Sequence, residues 1–145
     1  VMTIINQGNY HKKAEDTIRR LKNEPVKDKK GWLKKVKMIS TSQLRNILAM
    51  SADIYNQVVT LEGELTDEIN SRIEYLRIRC IYEIGREISK NPDDVANHSV
   101  KYFMDYSDIP KILLEINGEK KNFILFNHYL EALVAFRKYY GGKDE

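Results

Sequence analysis

Apolar residues recur along this chain with the 3.6-residue period of helices, not the two-residue period of strands. Tyr10, Ala14, Ile18 and Leu21 share one face of a predicted helix over about 9–23, with Asn9 as candidate cap and Pro25 as its stop. Leu44, Ile47, Leu48, Ile54, Tyr55, Val58 and Val59 line one side of a second over about 42–61, after the cap candidates Ser40 and Thr41. Gly63 separates it from a third over about 66–90. Thr66 can cap this helix, and Asp67 and Glu68 complement its positive first turn. Asn91-Pro92 predicts the start of a fourth near 93–106, and Asp108 with Pro110 repeats the device for a short helix to about 116. Asn117-Gly118 turns the chain into a last helix over about 119–140, with Gly141-Gly142 as a left-handed stop. No strand alternation is sustained and no longer period repeats. The short connections predict an all-α, single-domain bundle over 1–145, with about five helices, one short helix and a basic loop at about 24–40.

The third helix has the widest apolar arc and is expected to be the most enclosed. Ile69, Ile73, Leu76, Cys80, Ile84 and Ile88 share its broad apolar face. Arg72, Arg79 and Arg86 recur every seven residues, a near-axial stripe expected on the opposite side. Glu68 and Glu83 stand at ion-pairing distance along the helix, so the stripe can be a set of surface pairs. Seven residues also span about 10.5 Å, a reach suited to successive phosphates. Arg77 falls inside the apolar arc, where it needs an acid or carbonyl partner or marks a second surface for another chain. Gly85, in mid-helix, is read as a close helix crossing.

Composition narrows the class. With 42% hydrophobic and 31% charged residues in 145, the chain reads as globular and soluble. One cysteine, Cys80, excludes a disulfide framework within it and fits a reducing compartment. No apolar run is long enough to span a membrane, and VMTIINQGNY has no signal-peptide pattern, so a cytoplasmic protein without membrane partners is expected. The net charge of +3 is uneven: residues 1–40 hold eleven Lys/Arg against four Asp/Glu, and the remainder thirteen against seventeen. Such a division suits a basic region facing a polyanion, or complementarity within the molecule.

Catalytic chemistry is hard to place. His11, His98 and His128 fall in different helices, and His128 with Glu131 is a single pair where di-metal helical proteins need several. Cys80 reads as a small core residue. No metal or cofactor motif is present, and no enzymatic activity is expected. Binding is better supported. VKDKKGWLKKVK, residues 26–37, holds six lysines around the only tryptophan. Its lysines can follow a phosphate backbone while Trp32 packs on a base; alternatively, Trp32 and Leu33 pin a solvated loop to the bundle. TSQLR, at the start of the second helix, offers free amides and Arg45 to an anion, or is an ordinary cap.

ISTSQLRNILAMSADIYNQV, INSRIEYLRIRCIYEIGRE and KNFILFNHYLEALVAFRKYYGGKD together resemble the small helical subunit of type III-A CRISPR–Cas effector complexes, the Csm family. The resemblance covers roughly 41–88 and 120–144. It implies a non-catalytic, cofactor-free subunit of an antiviral complex, several copies of which stack head to tail. Its implied partners are guide RNA and target RNA, the backbone and large subunits, and other copies of itself. On that reading Lys34, Lys35, Lys37, Arg45, Arg72, Arg79, Arg86 and Lys138 bind RNA, and Arg77, Tyr139 and Tyr140 are structural or at a subunit interface. The duplex would be recognised through backbone and shape, since the guide supplies sequence specificity. The alternative from another class is a helical adaptor that binds only protein.

Overall fold

The computed structural model describes residues 1–141. Its elements in order are α1 (Tyr10–Asn23), β1 (Val26–Lys27), β2 (Leu33–Lys34), α2 (Thr41–Val58), α3 (Asp67–Lys90), a 3-10 turn (Val95–Asn97), α4 (Ser99–Ser107), α5 (Ile109–Glu115) and α6 (Lys120–Gly141). The architecture is helical, as the periodicity predicts. The only strands among the described residues form a small hairpin inside the basic loop, pairing Val26 with Lys34 and Lys27 with Leu33.

Local signals place the starts of α2, α3 and α6. Ser40 accepts a hydrogen bond from the Gln43 amide at 3.1 Å, and the Gln43 side chain reaches back to the Ser40 amide, so α2 opens with a capping box. Thr66 Oγ1 accepts from the Ile69 amide at 3.2 Å and caps α3. Asn117 and Gly118 both have positive φ and make the expected turn before α6. Asn9 precedes α1 but does not cap it, because its Oδ1 accepts from the Asn6 amide instead. Gly141 is the last residue of α6 in the helical conformation, not a left-handed stop, and Gly142 lies outside the described residues.

The fourth helix departs from expectation for a tertiary reason. Asn91-Pro92 leads only to the 3-10 turn, and α4 starts at Ser99. Its first amides are bound by Glu87 of α3: the carboxylate accepts from Val100 at 3.0 Å, from Lys101 at 3.3 Å and from the Ser99 hydroxyl at 2.9 Å. A carboxylate there satisfies free N–H groups and faces the positive end of the helix dipole. Glu87→Ala should therefore cost about 1–3 kcal/mol in urea unfolding, and Glu87→Gln, keeping one acceptor oxygen, should cost less. Equal stability of all three proteins would show that α4 is fixed by packing alone.

α6 is more enclosed than α3, against the expectation for α3. It buries Phe123, Phe126, Tyr129, Leu130 and Leu133 and packs on α1, α2 and α5. Polar ties reinforce the packing. Tyr129 donates to the Ser107 carbonyl at 2.8 Å, and Ser51 of α2 donates to Asn127 at 2.7 Å. Burial pushes the Tyr129 phenol well above its usual range. α3 buries Ile69, Ile73, Leu76 and Cys80 on one face only; Ile84 and Ile88 are half-buried. Its remaining apolar residues, Tyr75, Ile78, Ile81 and Tyr82, point outward and are exposed. The wide arc counted along α3 is thus divided between a core face and a surface ridge. Gly85 meets no neighbour at its Cβ position, so it marks no close helix crossing among the described residues.

Candidate nucleic-acid interface

The arginine stripe lies on a flank of α3. At about 100° per residue, Arg72, Arg79 and Arg86 stand roughly a right angle from the buried face, and the position opposite that face belongs to Tyr75, Ile78 and Tyr82. The expectation that the stripe is diametrically outward is corrected accordingly. The flank faces α2. Arg72 Nη1 donates to Gln57 of α2, not to Glu68. Arg79 and Arg86 line a cleft of about 300 Å³ with Gln43, Asn46, Ile47 and Met50 of α2, over Leu76 and Cys80.

Glu83 stands between the two arginines of the cleft. Arg79 Nη2 lies 3.4 Å from one carboxylate oxygen and Arg86 Nη1 3.3 Å from the other. Charge-assisted hydrogen bonds are ordinarily about 2.7–2.9 Å, so one carboxylate holds two guanidiniums loosely. The arrangement presents a pair of cations about two turns apart, whose intramolecular partner can be displaced by a stronger anion.

The basic loop is an ordered hairpin. Asp28 Oδ1 accepts from the Lys30 and Trp32 amides, both at 2.9 Å, and Gly31 takes the positive φ that the turn requires. Lys29 pairs with Asp93, whose carboxyl is held below its usual range by that hydrogen bond. Val36 and Ile39 are buried, and the Lys37 amide donates to the Ala96 carbonyl at 2.9 Å, which fixes the base of the hairpin to the bundle. Trp32 and Leu33 do not pin the loop to the bundle: they are 68% and 65% exposed. Lys34, Lys35 and Lys37 are exposed as well. Ile39, two residues after Lys37, also lines the cleft of Arg79 and Arg86. At the start of α2 the capping box engages two amides, with Ser40 accepting from the Gln43 amide and Gln43 from the Ser40 amide. Arg45 and Lys138 are exposed, on the first turns of α2 and near the end of α6.

Arg77 keeps its side chain only 25% exposed and pairs with Glu74 of the same helix at 2.8 Å. Its Nε is buried and has no hydrogen-bond partner among the described residues. Tyr140 donates to Glu15 of α1 and stacks on Phe136, which ties the end of α6 to the fold, whereas Tyr139 is 78% exposed. Sequence reasoning misses Arg137, which is 2% exposed and whose Nε donates to the Ile39 carbonyl at 2.8 Å. Its spacing after Leu130 and Leu133 continues the buried face of α6, a signal its charge obscures.

The groups considered for catalysis do not converge. Burial pushes the Cys80 thiol up to about 12, against the lowering effect of Arg79, so it is not a thiolate at neutral pH. His98 Nε2 lies 2.7 Å from the Asn91 carbonyl, and His128 packs beside Tyr55. Among the described residues no three His, Cys, Asp or Glu side chains are placed to hold a metal, and no helix is long and apolar enough to cross a membrane.

The family model described as Csm2 type III-A matches residues 15–143. A CRISPR system Cms protein Csm2 of Streptococcus thermophilus is 34% identical over 143 residues, covering 99% of this chain and 100% of that protein. The protein of the same name from Mycobacterium tuberculosis is 30% identical over 145 residues, covering 99% and 100%. That of Enterococcus italicus is 30% identical over 123 residues, covering 81% of each. With the family match spanning nearly the whole chain and relatives aligned end to end, the chain belongs to the Csm2 family of type III-A CRISPR systems.

Proposed function

We propose that this chain is a non-catalytic, cytoplasmic RNA-binding subunit, several copies of which line the duplex of guide RNA and target RNA and contact its backbone. The observation that carries the reading is the pair Arg79 and Arg86 lining one cleft and loosely sharing Glu83. Phosphates bring more charge and better geometry to a guanidinium than one shared carboxylate. Arg72 extends the same flank by one heptad, and Lys34, Lys35, Lys37, Arg45 and Lys138 add positive surface outside it. Backbone contacts of this kind position a duplex without reading its sequence, which base pairing to the guide already does.

Neighbouring subunits need apolar surface, and the outward ridge Tyr75, Ile78 and Tyr82, with Tyr139, supplies it. Arg77, partly buried beside Glu74, serves the fold or a subunit contact instead of RNA.

Glu83 gives the most direct test. Glu83→Gln removes the competing charge, so binding to duplex RNA should tighten up to about fivefold at low salt, matching the small worth of exposed ion pairs. The salt dependence should steepen or stay the same. Weaker binding of Glu83→Gln, measured by fluorescence anisotropy, would mean that the carboxylate organises the arginines and would remove the displacement mechanism.

A further inference from the structure

We infer that the hairpin tip is a stacking platform for an unpaired nucleotide, with the Trp32 indole against the base and the neighbouring lysines on the flanking phosphates. The inference rests on the RNA-binding reading above but concerns a different ligand conformation and a different part of the surface. A folded chain ordinarily gains by burying an indole; here the ring is 68% exposed while Val36, four residues on, is buried in the core. The ring is not on a slack loop. The Trp32 amide donates to Asp28 Oδ1 at 2.9 Å, and its carbonyl accepts from the Asp28 amide at 2.9 Å. The turn therefore presents the ring at little ordering cost, a form of preorganisation.

Charge selects the partner. Of the six lysines in the hairpin, only Lys29 is in an ion pair; Lys27, Lys30, Lys34, Lys35 and Lys37 form none among the described residues. Lysine is depleted at protein–protein interfaces, where its ammonium must be desolvated. Lysines around one exposed aromatic match the pattern of single-strand binding, in which a groove or patch follows phosphates and rings stack on bases. An A-form duplex offers no base face to such a ring: its bases are stacked and its major groove is too deep and narrow for side chains. The base that meets Trp32 is consequently one splayed from a strand or lying beyond the end of a duplex.

Trp32 is the only tryptophan, so selectively excited tryptophan emission of the full chain reports on it alone. Titration with an oligouridylate of about twelve nucleotides should quench that emission to saturation, and a blunt RNA duplex of equal length should not. Trp32→Ala should weaken anisotropy-measured binding of a labelled oligouridylate about 5- to 150-fold, the range found for loss of one base–aromatic stack. Trp32→Tyr should retain most of it, and duplex affinity and melting temperature should stay unchanged in both variants. Unchanged emission at saturating oligouridylate, no binding of it, or equal quenching by the duplex would overturn the inference. So would emission that responds only when other subunits of the complex are added, which would make the tip a protein contact. In each of those cases the duplex-binding role of Arg79 and Arg86 is judged separately, by the duplex affinity of their own variants.

Discussion

Arg137→Leu should lower folding stability by about 2–4 kcal/mol, more than loss of any arginine on the α3 flank. The Arg137 Nε donates at 2.8 Å to the carbonyl of Ile39, the residue before the Ser40 cap of α2. Leucine fills part of the space but donates nothing, so a buried carbonyl next to a helix start loses its partner. The melting temperature should fall by roughly 6–12 °C for a chain of this size. Gly141 gives a second probe of the same guanidinium. A Cβ on Gly141 would collide with Arg137 Nη1 and lie 2.8 Å from its Cζ, so Gly141→Ala must displace the buried side chain. It should therefore destabilise the parent protein and cost much less in the Arg137→Leu background, a coupling that a double-mutant cycle reads directly. Additive effects, or an Arg137→Leu protein that melts like the parent, would show that the Ile39 contact contributes little.

Arg137 also marks where the sequence stops being legible. The starts of α2 and α3 can be read because Ser40, Gln43 and Thr66 act on amides within one turn of themselves. The Asn117-Gly118 turn is equally local. The start of α4 cannot, because its amides are satisfied by Glu87, which belongs to α3 and reaches them only through the packing of the two helices. Periodicity identifies the buried face of α3 through Ile69, Ile73, Leu76 and Cys80, but the apolar count along the helix also takes in the outward Tyr75, Ile78 and Tyr82. A wheel gives angles; which angle meets a neighbour is decided by packing. The hairpin shows the same boundary. Composition marks Trp32 and its lysines as a candidate, and only the turn geometry around Asp28 and Gly31 places the ring in solvent.

The largest functional effect is expected from combined replacement of Arg72, Arg79 and Arg86 by alanine. If each neutralises one phosphate, each loss flattens the slope of log affinity against log salt by about 0.7–0.9, and the triple variant by about 2–3. The reduction should be similar for duplexes of any sequence, since backbone contacts carry no base information. Stability should change little. Arg79 and Arg86 are half-exposed and share one carboxylate at 3.4 Å and 3.3 Å, and exposed pairs contribute at most about 1 kcal/mol. Arg72 is the member to watch, because its bond to Gln57 also joins α3 to α2. Arg77→Ala provides the contrast. Its side chain is mostly buried and paired with Glu74, so it should lower the melting temperature or assembly with neighbouring subunits while leaving the salt slope intact. Measuring slope and melting temperature on all four single variants and the triple separates the roles. Stripe variants that melt early yet keep the parental slope would make the flank a structural seam between α2 and α3, and would move the duplex contact to the exposed Lys34, Lys35 and Lys37.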